Sequence, residues 1–369
     1  MIAEPQVVLT GVGPVSAAGI GRDEFLRGVR SGEDFVAPVS LFPTDGLPCS
    51  AAVEVKGLNL GEHLASEKTY LDRCSEFALA SASLALRDAG LTLTDDNRHR
   101  VGVCLGSAYG CLGTMRTFYE RLLTKGAKFA NSLLFSHSYV NTPISLVAIE
   151  FGIQGFHCAY TNGLTSGLTA IAHACDVLRS GQAEVLLAGG TDALCETLFR
   201  ALCDAGTLAP DGSAEGWRLG EGSGVLVLET AEHARARGAR VLATFAGCGM
   251  ANDLEFNGDG VRRAMQQALA GAGISAAEVD SLYLSANGTG VSDGAERRAV
   301  DELFGELAPN CHALKQRLGE PLAAGGPLCA IAALGETESG SAALINSVDR
   351  GGGCVSLALR RGEGAAATS

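Results

Sequence analysis

The chain has 369 residues, 47% hydrophobic and 19% charged, with 49 Gly and only 5% aromatics. That apolar content fills a core and excludes disorder, and the glycines keep no three-residue period, which excludes a collagen-like chain. A formal net charge of −13, from 28 Lys+Arg against 41 Asp+Glu, argues against nucleic acid or an anionic membrane as partner.

In chain order, the start has neither the basic residues nor the apolar stretch of a signal peptide. No apolar run reaches the roughly 18 residues of a membrane span, so a cytoplasmic protein is expected. Val7-Val8-Leu9-Thr10 reads as a first strand running into a turn at Gly11-Val12-Gly13-Pro14. Phe77, Ala80, Leu84 and Leu86 predict an Ala-rich helix over 75–89. Val101 to Leu105 reads as a buried strand. Leu168, Ile171, Ala172, Cys175 and Leu178 follow helical spacing, ended by Ser180-Gly181. Strands follow at 184–188, closed by Gly189-Gly190, and at 224–229. This alternation points to α/β layers. The 12 Cys stand singly, without C-x-x-C, which predicts reduced core thiols and no metal site. No cofactor is expected.

A weak internal repeat predicts two halves. Ser166 to Ala172 recurs in spirit as Gly326 to Ala332, each opening a helix after a turn. The opening strand and its Gly turn find a counterpart in Ser281 to Leu284 before Asn287-Gly288-Thr289-Gly290. The boundary is placed in the basic stretch Arg235 to Arg240, giving an N-terminal half over 1–236, a C-terminal half over 237–361 and a flexible tail over 362–369.

Six Gly-containing signals in a fixed order resemble the β-ketoacyl synthase family, which has the thiolase-like layered αβαβα fold of two pseudo-repeated halves. They are Gly11 to Ser16, Gly155 with Ser166-Gly167, Ala188-Gly189-Gly190, Gly220 to Glu229, Asn287 to Val291, and Lys315 with Gly319-Glu320 and Ala324-Gly325-Gly326. The resemblance implies a Cys nucleophile at a strand-to-helix elbow, where a helix N-terminus lowers a thiol pKa and offers N–H groups to an oxyanion, together with two His. This chain lacks all three. Read back from Ser166-Gly167, and forward from Gly155-Phe156, the nucleophile position is Leu164; the two His positions are Asn287 and Glu320. The gating Phe is replaced by Arg350. Leucine cannot carry a thioester, and Asn has no titratable proton near neutral pH.

One branch of the family has this profile, the chain-length factor or ketosynthase β-subunit of type II polyketide synthases. The resemblance implies an active ketosynthase as heterodimer partner. It also implies an acyl carrier protein that docks mainly on that partner, since acidic surfaces repel. The branch often carries Gln at the nucleophile position; Leu164 offers no such hydrogen bond, so no priming role is assigned. Cys111, Leu112, Gly113, Met115 and Phe118 are the candidate wall of the acyl tunnel. Ser136, His137, Tyr139, Asn141, Phe156 and Tyr160 are the candidate interface. Arg116, Arg121, Lys125 and Lys128 read as a solvated helix face. The alternatives are a diverged autonomous acyltransferase using Glu320 or Cys158, and a stand-alone acyl-binding scaffold.

Overall fold

The structure, a computed structural model, describes residues 5–307, 309–336 and 340–362. The tail expected from 362 onward lies, apart from Gly362, outside the described residues. The first group of strands is β1 (Val7–Ser16), β2 (Gly19–Ile20), β3 (Ala37–Pro38), β4 (Ala51–Ala52), β5 (Val101–Gly106), β6 (His157–Tyr160), β7 (Val185–Asp192) and β8 (Gly222–Thr230). The second is β9 (Ala243–Asn252), β10 (Val279–Tyr283), β11 (Asn310–His312), β12 (Ala342–Val348) and β13 (Gly353–Arg361). The helices between them are α1 (Arg22–Ser31), α2 (Arg73–Asp88), α3 (Leu112–Lys125), α4 (Ser132–Ser136), α5 (Thr142–Phe151), α6 (Ser166–Arg179), α7 (Glu196–Asp204), α8 (Ala231–Ala236), α9 (Asp259–Ala272), α10 (Gly290–Phe304), α11 (Lys315–Leu318) and α12 (Gly325–Glu336).

Two sheets of the same pattern are fused edge to edge. The order is β6-β5-β7-β8-β1, then β9-β13-β12-β10-β11. In each half the outer three strands are parallel and the inner two join antiparallel. The seam pairs Val7, Val8 and Leu9 with Phe245, Thr244 and Ala243. Three apolar layers fill the space. Helices α6 and α12 lie in a central core with Leu9, Leu226, Ile345 and Leu357. Helices α2 and α5 cover the outer face of the first sheet with Val103, Leu187 and Val225. Helices α9 and α10 cover the second with Leu282, Leu344 and Ala358. The result is an αβαβα stack. Strands covered on both faces read as continuous apolar runs, as in the fully buried β1 and β7.

Three local expectations are corrected. Gly11 to Pro14 is not a turn; β1 runs through it with a bulge between Leu9 and Gly11. The glycines serve close approach. A Cβ on Gly11 would lie 2.4 Å from the Ala89 nitrogen, and one on Gly13 would lie 1.9 Å from the Ser81 carbonyl oxygen, so α2 presses on the strand backbone. For the same reason β7 continues past Gly189-Gly190 to Asp192, since a Cβ on Gly190 would lie 2.2 Å from the Ala323 oxygen. Finally, Ser281 to Leu284 does not repeat the opening strand. β10 is the middle of the three outer parallel strands and matches β5, and the antiparallel β9 matches β1. Ser166 and Gly326 do sit at the heads of α6 and α12.

Candidate functional site

Strand β6 ends at Tyr160, and the chain turns through residues 162–165 into the head of α6. Gly163 makes the turn with φ +61°, in the left-handed region, and a Cβ there would lie 2.0 Å from Asp349 Oδ1. Leu164 is 4% exposed and shares an apolar cluster with Leu194, Trp217, Leu219 and Leu322. Its N–H donates to Asp349 Oδ1 at 2.8 Å, and Ser347 Oγ donates to its carbonyl at 3.0 Å. Asp349 Oδ2 accepts from the Gly351 N–H at 2.7 Å, and the Gly352 N–H closes the turn on the Asp349 carbonyl at 2.9 Å. Position 164 therefore carries a hydrocarbon side chain, and its N–H is already bonded to the Asp349 side chain.

Asn287 and Glu320, 33 residues apart, meet: Asn287 Nδ2 donates to Glu320 Oε2 at 2.8 Å. Lys315 Nζ donates to the same oxygen at 2.9 Å, and the Leu322 N–H donates to Oε1 at 3.0 Å. Lys315 and Glu320 are 3% and 1% exposed. Burial alone would depress the Lys315 ammonium; the Glu320 carboxylate overrides it and holds the group above the usual lysine value. The Glu320 carboxylate is thus held by an ammonium, an amide and a backbone N–H, which fill three of its roughly four acceptor sites. The turn that sets this contact is strained, with Leu322 at φ +56°.

Arg350, the expected gate position, makes polar contacts. Its Nη1 donates to Thr207 Oγ1 at 2.7 Å, and its guanidinium lies 5.6 Å from the Trp217 ring centroid. It lines an open cavity of about 680 Å³ with Thr207, Leu208, Gly288, Thr289 and Val291. At the end of β7, Asp192 accepts from Ser107 Oγ and the N–H groups of Ala108, Tyr109 and Ala323. Complete burial raises its carboxyl to about 6, the donors only partly opposing this.

The other expected positions fall as follows. Cys111 is buried, with its thiol beside Ser75 Oγ at 3.5 Å, and Phe118 is buried against Phe135, ring centroids 5.4 Å apart. Leu112, Gly113 and Met115 are half-buried. Ser136, Tyr139 and Asn141 are exposed, His137 is half-buried with its ring 5.6 Å from Tyr70, and Phe156 and Tyr160 flank the half-buried Cys158 on β6. Cys158 sits within the strand, not at a helix head. Of the basic face, Arg116 pairs with Glu120 and Glu196, while Arg121, Lys125 and Lys128 are exposed. Sequence reasoning missed Asp349 and Asp192. The only local signal for Asp349 was a charged pair, Asp349-Arg350, beside two glycines at the end of an apolar strand.

Among the described residues no helix is long and apolar enough to cross a membrane. The family profiles for "Beta-ketoacyl synthase, N-terminal domain" and "Beta-ketoacyl synthase, C-terminal domain" match residues 4–234 and 239–343. Nodulation protein E of Rhizobium sp. (strain N33) is 33% identical over 316 residues, covering 81% of this chain and 77% of that protein. The 3-oxoacyl-[acyl-carrier-protein] synthase 2 of Coxiella burnetii is 30% identical over 349 residues, covering 88% and 83%. The solved structure titled "The ishigamide ketosynthase/chain length factor" superposes with a TM-score of 0.90 at 27% identity, covering 97% of this chain and 100% of that one. Two profiles in tandem, with relatives matched over most of their length, fit the fused half-sheets and the elbow at Leu164: the chain belongs to the β-ketoacyl synthase family.

Proposed function

We propose that the chain is the non-catalytic chain-length factor of a ketosynthase heterodimer. It would pair with an active ketosynthase and shape the tunnel in which a polyketide or fatty-acyl chain grows on an acyl carrier protein. The observation that carries this reading is Leu164 at the elbow with its N–H closed by Asp349. Hydrolysis or condensation through a thioester needs a nucleophile there and a free donor for the oxyanion; this chain has a hydrocarbon and an occupied donor. The family resemblance assigns Cys111, Leu112, Gly113, Met115 and Phe118 to the tunnel side. It assigns Ser136, His137, Tyr139, Asn141, Phe156 and Tyr160 to the contact with the partner.

An apolar surface supports a partner. Of the 14 exposed large hydrophobic residues among those described, nine fall between Tyr109 and Ile149, among them Leu123 at 81% and Ile149 at 72% exposure. They come from the loop before α3, from α3 to α5 and from the loops between, and α5 leads into β6, whose outer edge carries no ladder among the described strands. A clustered apolar surface and an open strand edge call for a covering chain. The test is co-expression with a ketosynthase that keeps its Cys and both His. The native chain should co-purify one to one. Leu123→Glu with Ile149→Glu should abolish co-purification while leaving the circular dichroism and unfolding midpoint of the chain near those of the native protein, because exposed side chains contribute within about 0.5 kcal/mol to folding. Unimpaired pairing of the double variant would move the interface elsewhere.

A further inference from the structure

Away from the elbow, Cys49 Sγ and Cys203 Sγ lie 2.8 Å apart, both free thiols, 2% and 6% exposed. They are 154 residues apart in the chain, and the backbones carrying them are fixed by contacts that do not involve sulfur. On the Cys49 side, Ser50 donates through its N–H and its hydroxyl to Asp211 at 2.9 and 2.7 Å, and the Asp211 N–H donates to the Pro48 carbonyl at 2.9 Å. On the Cys203 side, α7 holds the same segment by Phe199, whose ring lies 5.4 Å from Phe42, and by Arg200, which donates to the Pro43 carbonyl at 3.2 Å. The two thiols are thus pre-positioned in contact, and joining them needs little backbone movement. Cys203 also lines the open 680 Å³ cavity with Pro48, which gives a small oxidant a way in.

We propose that Cys49 and Cys203 form a reversible disulfide that fastens the 41–50 segment to α7, the oxidant being a low-molecular-weight disulfide. The Cys203 thiolate attacks one sulfur of the oxidant, forming a mixed disulfide and expelling one thiolate. The Cys49 thiolate then attacks the Cys203 sulfur, forming the internal bond and expelling the second thiolate. Two protein thiols lose two protons and two electrons, and the oxidant is reduced to two thiols. Burial pushes the Cys203 thiol up to about 12, the neighbouring Cys49 adding to it, so the reaction is slow at neutral pH and quickens as pH rises. Once formed, the bond closes a long loop and fixes α7, which leads to Thr207, the partner of Arg350.

The experiment treats the full chain, carrying Cys311→Ser to remove the exposed thiol, with oxidised glutathione at pH 8.5 and maps peptides without reduction. The expected result is a Cys49–Cys203 cross-linked peptide, a mass lower by about 2 Da, a higher unfolding midpoint and full reversal by dithiothreitol. Cys49→Ser should leave glutathione on Cys203. If that variant does not fold, Cys203→Ser serves, and the mapping of the unaltered pair needs neither. Oxidised protein in which both residues are still alkylated in denaturant, or in which each holds its own glutathione, overturns the proposal.

Discussion

Replacing Leu164 by Cys places a thiol in the turn that leads into α6, and the resulting behaviour depends on Asp349. The N–H of residue 164 lies 2.8 Å from Asp349 Oδ1, which places the introduced thiolate about 5 Å from a carboxylate charge. At an effective dielectric of about 20, two like charges at that separation repel by about 3 kcal/mol, which raises the thiol pKa by about 2 units. Burial raises it in every variant alike, so the contribution of Asp349 is read as a difference. The assay is the pH dependence of iodoacetamide alkylation at position 164, followed by peptide mass. Leu164→Cys alone should titrate about 2 units above Leu164→Cys combined with Asp349→Asn. At pH 8 its thiolate fraction is about 100-fold lower; higher intrinsic nucleophilicity recovers roughly tenfold, leaving a net slowing of about tenfold. Asp349→Ala in the same background separates charge from space, since the turn is also held by the backbone bond from Gly352 to the Asp349 carbonyl. Equal midpoints in all three proteins would refute the claim that a resident carboxylate closes the elbow.

Three further outcomes are expected. Glu320→Gln leaves Lys315 buried without its counter-charge and should cost about 3–5 kcal/mol in urea unfolding; adding Lys315→Met should recover part of that loss instead of doubling it. The Asp192 carboxyl is raised to about 6, so the stability tied to its protonated form is fully present below about pH 3 and lost as pH rises through 6; unfolding free energies should show the native protein losing about 3 kcal/mol relative to Asp192→Asn between about pH 3 and 7. Gly113 has room for a first carbon, 3.6 Å from Cys195 Cβ, so Gly113→Trp should fold, cost about 1–3 kcal/mol where the wall cannot yield, and shorten the products of the heterodimer by mass spectrometry. Products of native length from an intact heterodimer would remove Gly113 from the tunnel wall. Cys111→Phe is the poorer probe because Cys111 is 1% exposed and packs inward.

The layered α/β architecture and the pairing of α6 with α12 were legible because the apolar periods of helix and strand survive in Leu168 to Leu178 and in Val185 to Ala188. The expected positions of Leu164, Asn287 and Glu320 followed from spacing to neighbouring glycines, several of which let one backbone touch another; Gly167 and Gly190 both abut the Ala323 carbonyl. The same glycines misled at Gly11 to Pro14, where they read as a turn although the strand needs them for contact with α2. Contacts between distant segments had no local signal. Asp349 reaches Leu164 across 185 residues and Cys49 meets Cys203 across 154, and nothing in either stretch announces the other. The Lys315–Glu320 pair was closer to hand, five residues apart, yet only the fold adds Asn287 and the Leu322 N–H to it.

The central claim is that this chain carries no acyl group and works through a partner that does. The direct measurement is mass analysis of the chain co-expressed with an intact ketosynthase, after incubation with an acyl carrier thioester. Native spectra report the complex and denaturing spectra report the carrier of the label. The account predicts a one-to-one complex with a single acyl group, wholly on the ketosynthase. An acyl adduct on this chain, at Cys158 or any other residue, or a chain that forms no complex with the ketosynthase, would contradict it.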